Sequence, residues 1–135
     1  MAKQSGLGWT TCSVDDASGS AQAIKNDVTS LDFATPRAVQ DVTGIDKSAI
    51  ERLLLLADMS VTLNIVFNPA ANQSHDVFKT VPSTSVNRTT TLTVGGKTLA
   101  GEILFTDYPL SRSASGELTA KVPGVLADGT VPTWA

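Results

Sequence analysis

Ser60-Val61-Thr62-Leu63-Asn64-Ile65-Val66-Phe67 sets Val61, Leu63, Ile65 and Phe67 against Ser60, Thr62 and Asn64 with a period of two. Successive side chains of a strand point to opposite faces, so this octet reads as a β-strand with one dry face and one wet one. Asn68-Pro69 ends it, because proline has no N–H to give to a ladder. The same Thr- and Val-rich alternation returns downstream. The segments 87–94 and 97–108 flank Gly95-Gly96, a dipeptide suited to the two positive φ angles of a tight primed turn, and together they read as a hairpin. Leu118, Ala120 and Val122 alternate with Glu117, Thr119 and Lys121 in a last strand that Pro123-Gly124 is expected to end.

Upstream the pattern is shorter-ranged. Thr10, Cys12 and Val14 alternate with Trp9, Thr11 and Ser13 before a polar, glycine-containing turn at 15–20. The segments 24–34 and 37–43 read as two strands bent at Pro36. At 46–58 the period changes: Ile50, Leu53, Leu54 and Ala57 fall at helical spacing, and Ser48 with Glu51 has the spacing of a capping box. A short helix is the first reading there. Leu55 and Leu56 carry the apolar surface further around the cylinder, which equally suits an irregular segment packed under a neighbour. Ser74 is placed to cap one or two helical turns ending at Pro82, with Asp76 near the N-terminal end and Val77, Phe78 and Val81 inward. Many short strands, few helices and no βαβ rhythm predict a mainly β protein, an antiparallel sandwich or partly open barrel with one or two short helices. The 135 residues are expected to form a single domain, with a flexible arm at 1–8 and a flexible tail at 124–135.

The chain is poor in reactive side chains. His75 is the one imidazole, and Ser74-His75-Asp76 cannot make a triad by adjacency, since neighbours at a helix start point in different directions. One histidine and one cysteine, Cys12, cannot assemble a zinc site or an internal disulfide, and the carboxylates lack calcium-loop spacing. No phosphate cradle follows a strand and opens a helix, so neither a metal nor a cofactor is expected, nor an enzyme. The acid pairs Asp15-Asp16 and Asp41 with Asp46 lack the aromatic platform a sugar-cleaving cleft would need. The net charge of -3, without a Lys/Arg-rich run, predicts no affinity for nucleic acid. The apolar run at 53–57 is far below the roughly 20 residues that cross a bilayer, and the first residues lack the apolar core of an export signal. Between residues 15 and 58, eight acidic side chains stand against four basic ones, so one surface is expected to be negative. Trp134 should dock its indole, either on its own domain or on a neighbouring subunit.

The stretch Glu51-Arg52-Leu53, Leu56-Ala57-Asp58, Ser60-Val61-Thr62-Leu63, Phe67-Asn68 and Ser74-His75-Asp76-Val77-Phe78 resembles the major tail proteins of long-tailed bacteriophages, the siphophage tail tube subunits, especially those of actinobacterial phages. Arg112, Gly116-Glu117, Ala127-Asp128-Gly129 and Pro132-Thr133-Trp134 resemble the closing pattern of that family, so the likeness runs from Trp9 to Trp134. Where relatives often carry Leu-Gly-Leu, this chain has Leu54-Leu55-Leu56. The resemblance implies a β-sandwich with a flanking helix, assembled as hexameric rings that stack into the tail tube through which DNA is ejected. It implies a virion location after assembly in the host cytoplasm, with tape measure, terminator and distal tail proteins as partners. Within such a tube, Asp27, Asp32 and Asp41 are the candidates to face the lumen and the unbound duplex. Trp9, Leu55, Leu56, Leu104, Tyr108 and Trp134 are the candidates for the subunit interface. The rivals are another ring or decoration protein, such as a tail terminator or head-tail connector, and a carbohydrate-binding module.

Overall fold

A computed structural model describes residues 3–135. Its strands are β1 (Thr11–Asp15), β2 (Ala21–Ala23), β3 (Val28–Ala34), β4 (Arg37–Asp41), β5 (Arg52–Ala57), β6 (Ser60–Val66), β7 (Arg88–Val94), β8 (Lys97–Phe105), β9 (Leu110–Arg112), β10 (Leu118–Leu126) and β11 (Thr133–Trp134), with one helix, α1 (Ser74–Phe78). An antiparallel nine-stranded sheet runs β2-β1-β7-β8-β10-β6-β3, with β11 beside β8 and β9 beside β10. β4 and β5 form a separate two-stranded sheet. The large sheet curls until Phe33 of β3 meets Trp9, 6.3 Å between ring centroids, and Trp134 at 5.9 Å. Among the described residues β3 hydrogen-bonds only to β6 and β2 only to β1, so the barrel stays open.

The alternation read at 60–67 is the organising feature. Val61, Leu63 and Ile65 are buried with Leu92, Leu99, Ile103 and Val122 of the paired strands. Each such side chain contributes about 1.5–3 kcal/mol when fully withdrawn from water. The Gly95-Gly96 hairpin forms as expected, with φ of 59° and 77°. α1 lays Val77 and Phe78 into the core, and Phe78 meets Phe105 edge-on at 5.2 Å.

Three expectations are corrected. The segment 46–58 is not helical: Arg52–Ala57 is a strand paired with β4, with Val39 opposite Leu54 and Asp41 opposite Arg52. The Ser48/Glu51 capping box goes unused, because the Glu51 N–H donates to Thr43 Oγ1 at 2.8 Å and the Val42 N–H to the Glu51 carbonyl at 2.9 Å. A helix there would have needed a core face for its apolar stripe, whereas every leucine of the run is exposed. Next, β10 runs through Pro123-Gly124 to Leu126. The Pro123 carbonyl accepts from Thr106 N–H, on the side away from β6; a strand residue's N and O point the same way, so the missing N–H removes no bond to β6. A Cβ on Gly124 would lie 2.5 Å from Ile103 Cγ2 and 3.0 Å from the Phe105 ring, which is why glycine sits at this crossing. Of the segment 124–135 expected as a flexible tail, residues 124–126 belong to β10, and Thr133–Trp134 pairs with β8 opposite Ala100 and Leu99. Of the arm expected at 1–8, residues 1 and 2 lie outside the described residues.

Finally, Ser74 does not cap its helix. Gln73 occupies the N-cap position without a side-chain bond, and Ser74 N–H donates to Asp27 Oδ2 at 3.0 Å. The other end is held by the buried Arg88, whose guanidinium donates to the carbonyls of Val77 (2.9 Å) and Asp15 (3.0 Å) and to Thr80 Oγ1 (2.8 Å). An anion at the start of the helix and a cation at its end both match its dipole. Burial draws the guanidinium pKa below its ordinary value, but an arginine stays charged, so the cation depends on these acceptors.

A candidate assembly surface

The β4–β5 hairpin is the part of the molecule least explained by its own domain. A run of four leucines in a strand cannot show one apolar face: Leu53 and Leu54 point to opposite sides, a register shift opposite Arg37 and Val39 interrupts the alternation beyond them, and all four are exposed, Leu56 at 85%. Val39, opposite Leu54, is exposed as well, and at the turn end Ile45 is fully exposed and Ile50 60%. The hairpin is nonetheless built to hold its shape. Arg37 Nε and Nη2 both donate to the Leu55 carbonyl, at 3.1 and 2.8 Å, and the Asp41 carboxylate accepts from Thr43 N–H and Oγ1, which holds its pKa below the ordinary value.

A second feature lies at the open seam of the sheet. Between the segment 6–9 and β3 runs a groove of about 510 Å³, lined by Leu7, Trp9, Val28 and Leu31 and reaching down to Cys12, with Lys25 as its charged lining residue. The Cys12 thiol is buried, and burial pushes its pKa up to about 11.

Of the residues singled out for an interface, Leu55 and Leu56 sit on the hairpin. Leu104 is exposed on the outer face of the large sheet, paired across strands with the exposed Val125. Trp9 is half-buried and its Nε1 donates to the Thr11 carbonyl at 2.7 Å. Trp134 docks on its own domain through Phe33 and β8, yet remains 51% exposed. Tyr108 lies apart, half-buried in an aromatic cluster with His75 and Phe78; its hydroxyl is 3.2 Å from His75 Nδ1, and burial raises its pKa.

The three acids meant for a lumen separate. Asp27 is buried, its carboxylate accepting from Asn68 Nδ2 (2.9 Å) and Ser74 N–H (3.0 Å), so it cannot face a passing ligand. Asp32 is exposed opposite Thr62, on the outer face of the large sheet, and Asp41 is exposed at the end of β4. That outer face carries Thr62 and Asn64 of β6, Thr89, Thr91 and Thr93 of β7, and Thr11 and Ser13 of β1, all at positions of opposite parity to the buried side chains. It is a hydroxyl-rich face with few charges.

Ser74, His75 and Asp76 do not converge. Ser74 Oγ donates to the Val66 carbonyl, His75 packs on Phe67 and Tyr108, and Asp76 pairs with Lys79 at 2.8 Å. His75 is therefore half-buried. Among the described residues no group of three or more His, Cys, Asp or Glu gathers, and no helix is long and apolar enough to cross a membrane.

Sequence reasoning missed the isoleucine tip, the groove, and the buried Asp27 and Arg88. Arg88 had a signal: it shares parity with Thr90 and Leu92 in β7, which face the core.

The sequence matches no protein-family model and no curated protein. In three dimensions the chain is similar to one in the tail of an empty gene transfer agent (GTA) particle, solved by helical refinement with C6 symmetry. The TM-score is 0.75 at 17% identity over 98% of this chain and 99% of that one. It is also similar to a chain in the virion of the native GTA particle, with a TM-score of 0.72 at 15% identity over 98% and 99%. The mainly β antiparallel fold read from the sequence, open and not a closed barrel, is thus a fold found in the tail of a GTA particle.

Proposed function

We propose that this protein is a structural subunit of a phage tail tube, forming hexameric rings that stack into the conduit for DNA. The observation that carries the reading is an ordered apolar hairpin with no cover in its own domain, on a fold shared with a tail chain from a C6-symmetric particle. Half-burying each exposed leucine of that hairpin against another copy contributes roughly 1 kcal/mol, and six subunits multiply it. Ring closure pairs or covers the free edges of β2 and β3, which would otherwise invite uncontrolled strand addition. The axial contact is head-to-tail and never closes, so length is set by partners, the tape measure and terminator, with a distal tail protein at the tip.

The bore is lined by the hydroxyl-rich outer face, with Asp32 and Asp41 contributing negative charge. Threonine and asparagine keep water at the wall, and the acids disfavour the multiple phosphate contacts that would brake a sliding duplex. The subunit works in the virion tail after assembly in the host cytoplasm, without a cofactor and without catalysis. Negative-stain microscopy of the purified protein across concentration tests the reading: hollow stacked tubes are expected. Single rings that do not extend would identify a terminator or connector, and a persistent monomer would remove the proposal.

A further inference from the structure

The groove beside β3 and the tip of the hairpin are complementary features of one chain. We infer that the Ile45/Ile50 tip of one copy seats in the groove between segment 6–9 and β3 of the next copy. The inference rests on the tube reading and adds the receptor to its arm. The tip presents two aliphatic side chains in full or majority exposure, and the groove presents Leu7, Trp9, Val28 and Leu31 around an unfilled space. A cavity of about 150 Å³ admits a benzene-sized group. The groove, at about 510 Å³, has room for both isoleucines. Charge adds little to the fit: Lys25 is the charged residue of the groove lining, but beside the tip Asp46 is paired with Lys47 at 4.0 Å and Glu51 is followed by Arg52, so the seat rests on its apolar contact and on the β3 edge. Among the described residues the edge of β3 beside the groove hydrogen-bonds to no strand, leaving backbone donors and acceptors for the incoming loop. An apolar knob and a hole at different places on one surface make a heterologous contact, which builds rings or open stacks and not a closed dimer.

Cysteine cross-linking in a Cys12→Ser background tests this directly, since the native Cys12, though buried, lines the groove. Ile45→Cys and Thr29→Cys are made in separate chains, both at exposed positions, mixed, assembled and oxidised. A disulfide-linked dimer is expected from the mixture, and not when Ile45→Cys is mixed with Lys121→Cys on the outer face. A chain carrying both changes should give a covalent ladder. The pair Ile50→Cys with Leu7→Cys repeats the test at independent sites. Tubes of normal appearance with no cross-link in either pair would overturn the seat while leaving the tube reading intact. A cross-link without tubes would keep the seat and overturn the tube, and neither cross-link nor tube would overturn both. Ile45→Asp should raise the protein concentration needed for assembly about tenfold, the loss of roughly one buried aliphatic contact.

Discussion

The nine-stranded sheet and the β4–β5 hairpin are built from the same residue types and reach opposite ends. β6 alternates Val61, Leu63 and Ile65 with Thr62 and Asn64, so one of its faces is buried and the other wet. β5 carries leucine on both faces and buries neither within the subunit. The difference teaches that period, and not hydrophobic content, decides whether a strand completes its own domain. A strand apolar on both faces needs two covers, and this small domain supplies neither.

Substitutions in the two regions should therefore separate stability from assembly. The largest loss of stability is expected for Leu63→Ala in β6, about 2–5 kcal/mol, because it opens a cavity among close-packed strands; urea denaturation of the dilute subunit measures it. Arg88→Met should follow at about 2–4 kcal/mol, since it strands the Val77 and Asp15 carbonyls without their donors. A loss below about 0.5 kcal/mol would show that the clamp on α1 is dispensable. Hairpin substitutions belong at the other end: Leu54→Ser with Leu56→Ser should leave the subunit's stability within about 0.5 kcal/mol, as both side chains are already in water.

The smallest expected effect is at the 16–20 turn. Hydrogen bonds from Ser18 Oγ, then Ser20 N–H, with smaller help from Gln22 and the Ser18 amide, hold the Asp16 carboxyl at about 2, below its ordinary 3.8. A depressed carboxyl pKa contributes stability that is present above the unfolded value and lost as pH falls toward the folded one. The turn should therefore loosen between pH 4 and 2, by an amount solvent keeps small. Chemical-shift titration of the wild type against Asp16→Asn checks it, and an Asp16 carboxyl titrating near 4 would contradict the bonds.

Much of the large sheet was legible because its longer strands have a hairpin partner or a clean alternation, whereas β2, β9 and β11, two or three residues each, have neither signal. Gly95-Gly96 allows little besides a hairpin, and 60–67 allows little besides a half-buried strand. The run 52–57 was not legible, since four successive leucines satisfy helical and extended periods equally and only the absence of a receiving core decides between them. The continuation of β10 through Pro123-Gly124 depends on which side of the strand lacks a ladder partner, a fact of topology invisible in a local window. Asp27 looked like one more surface acid; it is spent on a helix 47 residues away. Leu55 and Leu56 of the candidate surface could be named from sequence, but the groove is made by strands that meet only when the sheet curls.

The central claim is that the exposed hairpin exists to bind further copies of this chain. Sedimentation velocity of the wild type beside Leu54→Ser with Leu56→Ser, across concentration, tests it most directly. The account predicts large, concentration-dependent assemblies for the wild type and a 14.1 kDa monomer with an unchanged thermal melt for the variant. A variant that assembles like the wild type, or a wild type that stays monomeric at every concentration, would contradict it.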